Sequence, residues 1–173
     1  MSLLEAHAGL AEKVAVVVGG AGGFMGRGVT LGLAKAGVRI AACDNDEEAV
    51  RTIVPDVEAA GSRILSVRAD VTDPETLDAF YDRVEAEFDR LDIVVNVAGG
   101  VKRSPFVEST REDNARDIRL NYGYVIDSVR RAIPLIRRGG SRRKHHQFHQ
   151  YRGSSGGGDL CRVRGCEGCD YQL

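Results

Sequence analysis

An apolar run that leads directly into a cluster of glycines constrains the fold of this chain more than any other feature. Residues 14–18 are Val-Ala-Val-Val-Val, and six of the ten residues in 19–28 are glycines. The apolar run predicts a buried strand, and the pattern after the glycines predicts the start of a helix. Glycines let the backbone turn sharply and approach a ligand closely, and a helix N-terminus favours an anion. The stretch therefore predicts a loop that binds a phosphate group.

The spacing of the glycines narrows this prediction. Gly20, Gly23 and Gly26 form a G-x-x-G-x-x-G pattern between the predicted strand and the predicted helix, which is the context that a dinucleotide-binding fingerprint requires. A diphosphate fits such a loop. The pattern leaves one alternative open, a glycine-rich strand-turn-helix corner that binds no ligand.

The composition is that of one soluble domain. The chain has 173 residues, and 43% of them are hydrophobic, which suffices for a core. Its net charge of −1 neither favours nor excludes a nucleic-acid partner. No charged-then-apolar leader opens the sequence, and no apolar run approaches the roughly 20 residues needed to cross a bilayer. Cys43 is the one cysteine in residues 1–140, so no disulfide framework is expected. We expect a cytoplasmic protein without a membrane partner.

Hydrophobic periodicity divides residues 1–140 into alternating strands and helices. Short apolar runs predict strands at 14–18, 38–43, 63–68 and 91–96. Apolar residues at helical spacing predict helices at about 26–36, 46–61, 74–88 and 111–138, with Pro55 as a kink or early break and Pro134 as a kink. Parallel strands need helical crossovers, so this order predicts an α/β fold with a doubly wound parallel sheet in three α/β/α layers.

Short motifs occur at the ends of the four predicted strands and in the helix after the fourth. They are the glycine loop, Asp44, Asp70-Val71, Asn96-Val-Ala-Gly99 and Asn121. Over residues 9–140 this order resembles the short-chain dehydrogenase/reductase family. The resemblance implies a Rossmann-like dinucleotide-binding domain over residues 1–140, truncated after the fourth or fifth β-α unit. It also implies NAD(P)(H) as cofactor, with hydride transfer between the nicotinamide and a carbon of a small-molecule alcohol or carbonyl substrate.

The resemblance also implies which residues meet the diphosphate and the adenosine ribose. Those that would line the diphosphate are Gly20, Gly23, Met25 and Gly26. Asp44 would accept hydrogen bonds from the ribose hydroxyls and repel a 2′-phosphate, which favours NAD over NADP as cofactor. The alternative for Asp44 is a residue that only ends a strand in an acidic turn.

Two further motifs match cofactor-binding positions of the family. Asp70 and Val71 match the pair that flanks the adenine, and the alternative for Asp70 is a residue that opens the turn before Pro74. Asn96, Ala98 and Gly99 match the loop that follows the fourth strand in the family. This loop can also have a structural role in stabilising the central sheet, and that role is compatible with binding the cofactor.

Two positions depart from the family pattern. Val97 stands where the commoner Asn-Asn-Ala-Gly motif has its second Asn. Phe24 stands where short family members have their second glycine, counted back without gaps from Gly26. The G-x-x-G-x-x-G spacing resembles the longer members of the family instead.

The chemistry of the family needs a Ser that orients the carbonyl, a Tyr that passes a proton to its oxygen, and a Lys four residues after that Tyr. No Tyr-x-x-x-Lys occurs in the sequence. Asn121 is the one member of the catalytic set that is present, where the family holds a proton-relay water; the alternative is a helix-to-loop hydrogen bond. We expect a short-chain oxidoreductase that is inactive as written, with a non-catalytic NAD-binding module as the alternative.

Residues 141–173 form a polar, aperiodic tail whose codons suggest a shifted reading frame. His145 to Tyr151 need the codons CAY, CAY, CAR, TTY, CAY, CAR and TAY, which one nucleotide later encode Ile or Thr at four positions and Asn, Ser or Phe at the others. That pattern permits a buried strand, with a Ser encoded by the shifted codon that overlaps the codon of Gln150. The same shift permits Tyr-x-x-Ala-Lys from Val163, thirteen positions further on. We therefore expect the tail to be a frameshifted reading of an ordinary family member.

The tail also has readings that need no frameshift. A metal site would use Cys161, Cys166, Cys169 and one of His145, His146 or His149, but structural zinc sites usually pair two Cys-x-x-Cys knuckles, so no metal is predicted. A basic nucleic-acid arm is disfavoured because Arg142-Arg-Lys144 is short and acidic residues follow. The composition itself favours a disordered tail.

A sheet that stops after four strands leaves an edge and apolar faces without cover. Without further strands, strand four becomes a sheet edge. We therefore expect the chain to be marginally stable. A homo-oligomer is expected for an intact parent protein, and this chain would lack part of the helical interfaces.

Overall fold

The computed structural model describes residues 9–101 and 104–139. Strands and helices alternate along the chain. They are β1 (Val14–Val18), α1 (Phe24–Lys35), β2 (Arg39–Asp44), α2 (Glu47–Ala59), β3 (Ile64–Arg68), α3 (Pro74–Phe88), β4 (Ile93–Asn96), a short 3₁₀ turn (Phe106–Glu108), α4 (Arg111–Ile118), a π-helical turn (Arg119–Gly123) and α5 (Tyr124–Arg138).

The strands form one parallel sheet in the order β3-β2-β1-β4. β1 lies inside the sheet, and its last residue, Val18, is level with Cys43 of β2 and Asn96 of β4. Helices cover both faces, so the predicted three-layer, Rossmann-like α/β fold is confirmed. Within the described residues β4 lies at one edge of the sheet, where the sequence predicted it.

Two apolar clusters hold the layers together, one on each face of the sheet. All five residues of β1 are fully buried, and they alternate between the clusters. Val16 belongs to the same cluster as Phe80 of α3 and Leu135 of α5. Val17 belongs to the cluster that contains Ile53 of α2 and Ala34 of α1. A strand covered on both faces has no polar side to present to solvent, and for this reason β1 reads as a continuous apolar run.

Three helices begin at a side chain that caps their first turn. Asp46 accepts from the backbone N–H groups of Glu48 and Ala49, and Asp73 accepts from that of Glu75. Thr110 forms a capping box with Asp113 at the start of α4. Such caps satisfy the N–H groups that a first helical turn leaves without intrahelical partners.

Helix α1 begins differently, two residues before the predicted start. Gly23 precedes it with φ +61° and no side-chain cap. This left-handed conformation turns the chain into the helix early, so Phe24 and Met25 belong to its first turn. The first turn contains no acidic residue.

The prolines do not end their helices. α2 continues past Pro55 to Ala59, which excludes the early break that the sequence allowed, and α5 contains Pro134. The predicted helix 111–138 differs in another way, because the π-helical turn at Arg119–Gly123 divides it.

None of the helices in the described ranges is long and apolar enough to cross a membrane. The predictions for residues 141–173, including the frameshift, the metal ligands, the basic arm and disorder, lie outside the described residues.

Candidate functional site

The carboxyl ends of β1, β2 and β4 lie at the same edge of the sheet. Because Val18 is level with both Cys43 and Asn96, the loops that follow these three strands are neighbours. The chain leaves β1 towards β2 on one side and reaches β4 on the other, so the strand order reverses between β1 and β4. Ligands of open α/β sheets bind at such a switch point. Most of the predicted site residues lie in these loops or in the strand ends and the first helical turn that border them.

The glycine loop is held against the sheet by backbone hydrogen bonds. Gly19 and Gly20 donate their N–H groups to the Cys43 carbonyl at 2.8 and 3.0 Å. Thr30 of α1 donates its hydroxyl to the Gly20 carbonyl at 2.7 Å. A β-carbon at Gly26 would lie 1.8 Å from the Gly19 carbonyl oxygen. Gly26 therefore lets the first turn of α1 pack directly on the loop.

The N-terminus of α1 faces open space. A β-carbon built on Gly23 meets no atom within 4 Å, and no side chain caps the helix. Phe24 is fully exposed and Met25 is 43% exposed. Uncapped N–H groups at a helix start, together with the helix dipole, attract an anion. The exposure of Phe24 explains how a bulky residue fits at the start of α1, because its side chain is not part of either apolar cluster.

Asp44 ends β2 and its carboxylate lies against the glycine loop. One oxygen accepts from the Gly22 N–H at 2.8 Å, and the other accepts from the Asp46 N–H at 3.3 Å. A β-carbon at Gly22 would lie 3.2 and 3.3 Å from the two oxygens. The second bond belongs to the turn that ends the strand, as the alternative reading of Asp44 required. The first bond holds a negative charge beside the loop that the sequence assigned to the diphosphate.

Asp70 and Val71 follow β3 at the same edge of the sheet. Asp70 accepts from the backbone N–H and the hydroxyl of Thr72 at 2.9 and 2.7 Å, which is the turn-opening arrangement that the sequence left open. Its residue is exposed. Val71 is 7% exposed and packs in the core. The turn is tied to the neighbouring strand because Ala69 donates its N–H to the Asp44 carbonyl at 2.9 Å.

The loop after β4 lies against the glycine loop. Val97 and Ala98 both donate their N–H groups to the Val18 carbonyl, at 2.8 and 3.0 Å. A β-carbon at Gly19 would lie 2.6 Å from the Ala98 nitrogen, so only a glycine at 19 allows this contact. Val97 packs with the apolar cluster under α1 and α2, and this packing accounts for an apolar residue where the family pattern has Asn.

Asn121 lies in the π-helical turn and bonds across to the β4 loop. Its amide oxygen accepts from the Gly100 N–H at 3.1 Å, and its amide nitrogen donates to the carbonyls of Gly100 and Asp117 at 2.6 and 2.8 Å. A β-carbon at Gly99 would lie 2.8 Å from the amide oxygen. The structure therefore contains the helix-to-loop hydrogen bond that was the alternative for this residue.

Several residues that the sequence did not assign to the site support these loops. Tyr124 donates its hydroxyl to the Ala98 carbonyl at 2.8 Å, and Ser128 donates to the Asn96 amide oxygen at 2.7 Å. The hydroxyl of Tyr81 is 2.8 Å from that of Ser128. Ser128 could have been identified from the sequence pattern, because it is a polar residue within the apolar face that α5 turns to the core.

Burial governs the protonation of the groups beneath the loops. Desolvation raises the pKa of the Cys43 thiol to about 12, with a smaller upward contribution from the charge of Asp44 and a lowering contribution from the bond to the Gly19 backbone. Desolvation also raises the pKa of Tyr81 and of Tyr124 above the ordinary value of a phenol. All three groups are neutral at physiological pH, so the Cys43 sulfur is not an activated nucleophile.

The fold and the loop geometry agree with a comparison of the sequence to family models. The model of the short chain dehydrogenases matches residues 13–142. The chain belongs to the short-chain dehydrogenase family.

Three curated relatives illustrate the range of the family. A Mycobacterium tuberculosis protein described as "Probable oxidoreductase EphD" is 36% identical over 66% of this chain and 19% of its own length. The hydroxynaphthalene reductase-like protein Arp2 of Metarhizium brunneum is 33% identical over 79% of this chain and 51% of its own. The short chain dehydrogenase/reductase dpmpG of Macrophomina phaseolina is 35% identical over 54% of each chain. The chain thus spans between a fifth and about half of the length of these relatives.

Two solved structures resemble this fold over the part of each chain that matches. A short-chain type dehydrogenase/reductase from Mycobacterium marinum matches 80% of this chain and 54% of its own, with a TM-score of 0.73 and 25% identity. L-Sorbose reductase from Gluconobacter frateurii, solved with NADPH and L-sorbose, matches 75% of this chain and 49% of its own, with a TM-score of 0.71 and 29% identity.

Proposed function

We propose that this chain binds NAD through the glycine loop and is the cofactor-binding portion of a short-chain oxidoreductase that acts on a small-molecule alcohol or carbonyl compound. The observation that carries the proposal is the uncapped start of α1. It faces open space, and beside it Asp44 is held on Gly22 at 2.8 Å. An anion site with a carboxylate beside it suits a diphosphate joined to a ribose.

Each loop has a part in this proposal. The N–H groups at the start of α1, with Gly20, Gly23, Met25 and Gly26 around them, bind the diphosphate. Asp70 and Val71 flank the adenine. Asn96, Ala98 and Gly99 border the crevice between β1 and β4, on the side where the nicotinamide would lie. When bound, the nicotinamide supplies the hydride chemistry, and the loops orient it and exclude water.

Asp44 favours NAD over NADP. Its carboxylate accepts the ribose hydroxyls and repels a 2′-phosphate, because two negative charges a few ångströms apart are unfavourable even near a protein surface. One solved structure that resembles this chain, L-sorbose reductase, contains NADPH. We assign the choice of cofactor in this chain to Asp44.

The 173-residue sequence lacks the Tyr-x-x-x-Lys pair. In the family this pair supplies the proton to the carbonyl oxygen of the substrate, a proton that must accompany hydride transfer. The proposal is therefore cofactor binding without appreciable turnover by the chain as written. A non-catalytic NAD-binding module has the same binding site, and the two functions differ only in whether the residues after 140 can complete the active site.

Assembly is the third part of the proposal. Ile118, Tyr122 and Ile126 are spaced by four residues along α4, the π-helical turn and α5, and they are between 47 and 62% exposed. An apolar row of this kind is typical of a surface that another subunit covers. We infer that the intact parent protein is a homo-oligomer; analytical ultracentrifugation of this chain and of a frame-corrected chain would test this.

The binding proposal is tested by titrating NAD⁺ and NADP⁺ into the purified chain and following the melting temperature, since a ligand that binds only the folded state stabilises it. We expect NAD⁺ to raise the melting temperature more than NADP⁺ does. Asp44→Asn keeps the acceptor for Gly22 and removes the charge, so the difference between the two cofactors should shrink or reverse. Glu58→Gln, an exposed carboxylate near the far end of α2, is the matched control. Stabilisation by neither cofactor would overturn the proposal.

A further inference from the structure

A chain of three buried hydrogen-bonding side chains connects α3 and α5 to the end of β4. Tyr81 and Ser128 are fully buried, and Asn96 is 4% exposed. The Tyr81 hydroxyl lies 2.8 Å from the Ser128 hydroxyl, which lies 2.7 Å from the Asn96 amide oxygen. The residues are 47 and 32 positions apart in sequence, so only the packed fold brings them together.

The direction of these hydrogen bonds follows from the donors available. The Asn96 amide oxygen can only accept, so the single hydroxyl proton of Ser128 points to it. The Ser128 oxygen is then left as an acceptor, and Tyr81 donates to it. Burial keeps the Tyr81 phenol protonated, because desolvation raises its pKa. These hydrogen bonds therefore have one defined direction, in which Tyr81 orients Ser128 and Ser128 orients Asn96.

Asn96 is the point where the β4 loop leaves the sheet. The next two residues, Val97 and Ala98, donate to the Val18 carbonyl. Ala98 in turn lies so close to Gly19 that a β-carbon there would be 2.6 Å from its nitrogen. A change in the direction of the Asn96 side chain or backbone would thus alter the contact between the β4 loop and the glycine loop.

Apolar residues could fill the same volume more simply. Buried polar groups lower stability unless every partner is present, and the surrounding cluster on this face of the sheet is otherwise apolar. The hydroxyl of Ser128 reaches Asn96, the last residue of β4, directly before a loop that borders the proposed cofactor site. Its placement is therefore better explained by the position of that loop than by core packing.

We propose that Ser128, oriented by Tyr81, is a positioning residue that holds residues 96–99 against the glycine loop, and that cofactor affinity depends on it. Neither residue contacts the cofactor. The second half of this inference rests on the proposed function, whereas the first half concerns the loop alone.

The loop is tested in the absence of cofactor by amide hydrogen exchange. In Ser128→Ala, the amides of Val97 and Ala98 should exchange roughly tenfold faster, as expected for the loss of one supporting hydrogen bond. The amide of Ile40, which donates to the Arg63 carbonyl at 2.9 Å between β2 and β3, is the internal reference. General destabilisation would accelerate exchange at Ile40 as well, whereas a positioning role leaves it unchanged. Unchanged exchange at Val97 and Ala98, or equal acceleration at all three amides, would overturn the inference.

Cofactor affinity is measured on the same variants by calorimetric titration with NAD⁺. We expect roughly tenfold weaker binding for Ser128→Ala and a smaller loss for Tyr81→Phe, which keeps the bond between Ser128 and Asn96. Ser66→Ala is the matched control, because Ser66 donates to the Val50 carbonyl at 2.8 Å away from the loops, and its affinity should match that of the unaltered chain. Weakened binding in Ser66→Ala equal to that in Ser128→Ala would count against the inference.

The outcomes separate the two proposals. If the unaltered chain binds neither NAD⁺ nor NADP⁺, the proposed function fails, and hydrogen exchange alone decides whether Ser128 positions the loop. If Ser128→Ala does not fold, Tyr81→Phe decides the same question, with exchange at Val97 and Ala98 faster than in the unaltered chain as the supporting result and unchanged exchange as the contradicting one.

Discussion

Gly26 and Gly19 are in direct backbone contact: a β-carbon added to Gly26 would lie 1.8 Å from the carbonyl oxygen of Gly19. This contact joins the first turn of α1 to the start of the glycine loop and sets the distance between them. It also explains why position 26 is a glycine, whereas the exposed position 24 accommodates a phenylalanine.

Replacement of Gly26 by Ala should disrupt this contact. Because the obstructing atom belongs to the backbone, no side chain can move aside, and we expect a loss of about 3 kcal/mol or more in the free energy of unfolding, with loss of NAD⁺ binding. Gly28→Ala is the matched control in the same helix, since its β-carbon would meet no atom within 4 Å. It should be neutral or stabilise by up to about 1 kcal/mol. Chemical denaturation of the two variants checks the prediction, which fails if they are equally stable.

Asn121 should matter for the stability of the β4 loop. Asn121→Ala leaves the Gly100 N–H and carbonyl without their side-chain partner. Because Gly100 is exposed, water can replace that partner, and we expect a loss of about 0.5–1.5 kcal/mol together with faster exchange of the Gly100 amide. Asn114 is an exposed residue of α4, and Asn114→Ala should change the free energy of unfolding by less than about 0.5 kcal/mol. Equal effects of the two substitutions would contradict the role assigned to Asn121.

Stability should fall at alkaline pH. The folded-state pKa of Cys43 is raised to about 12 from 9.0, and those of Tyr81 and Tyr124 are raised from 10.0. Below about pH 9 these three groups are protonated in both the folded and the unfolded chain, and the free energy of unfolding is not reduced by their ionisation. As pH rises above these unfolded-state values, the unfolded chain loses protons that the folded chain keeps, so the free energy of unfolding decreases, by up to about 1.4 kcal/mol per pH unit for each group.

Denaturation between pH 8 and pH 11 measures this slope. Tyr81→Phe and Cys43→Ala should each reduce it, because each removes one of the titrating groups. A free energy of unfolding that stays constant over this range would show that these groups are not protected from ionisation.

The chain as written should bind cofactor without turning over substrate. We expect no oxidation of NADH with a panel of ketones, because the sequence lacks Tyr-x-x-x-Lys. We also expect a melting transition of low cooperativity, because β4 lies at an edge of the described sheet and the apolar row on α4 and α5 is exposed. A cooperative melt together with turnover would contradict both expectations.

Sequencing the gene tests the frameshift: the frame one nucleotide later should encode an apolar strand followed by Tyr-x-x-x-Lys.

The positions of the strands and helices followed from the sequence because burial patterns are local. β1 is apolar throughout and covered on both faces, and α3 carries its apolar residues on one side. Helix boundaries were less accurate where the determining feature is a backbone angle. The positive φ of Gly23 moved the start of α1, and the π-helical turn around Asn121 has no periodic signature of its own.

The sequence by itself determined the fold class, the family and the loops that make up the candidate site, since the alternation of strands and helices and the glycine spacing are properties of the linear sequence. Tertiary structure alone decided how those loops are held. The bonds of Gly22 to Asp44, Gly100 to Asn121 and Ser128 to Asn96 join residues 22, 21 and 32 positions apart. Such bonds depend on which helices pack beside which strand ends, and a polar side chain in a helical pattern does not reveal the partner that burial will require it to find.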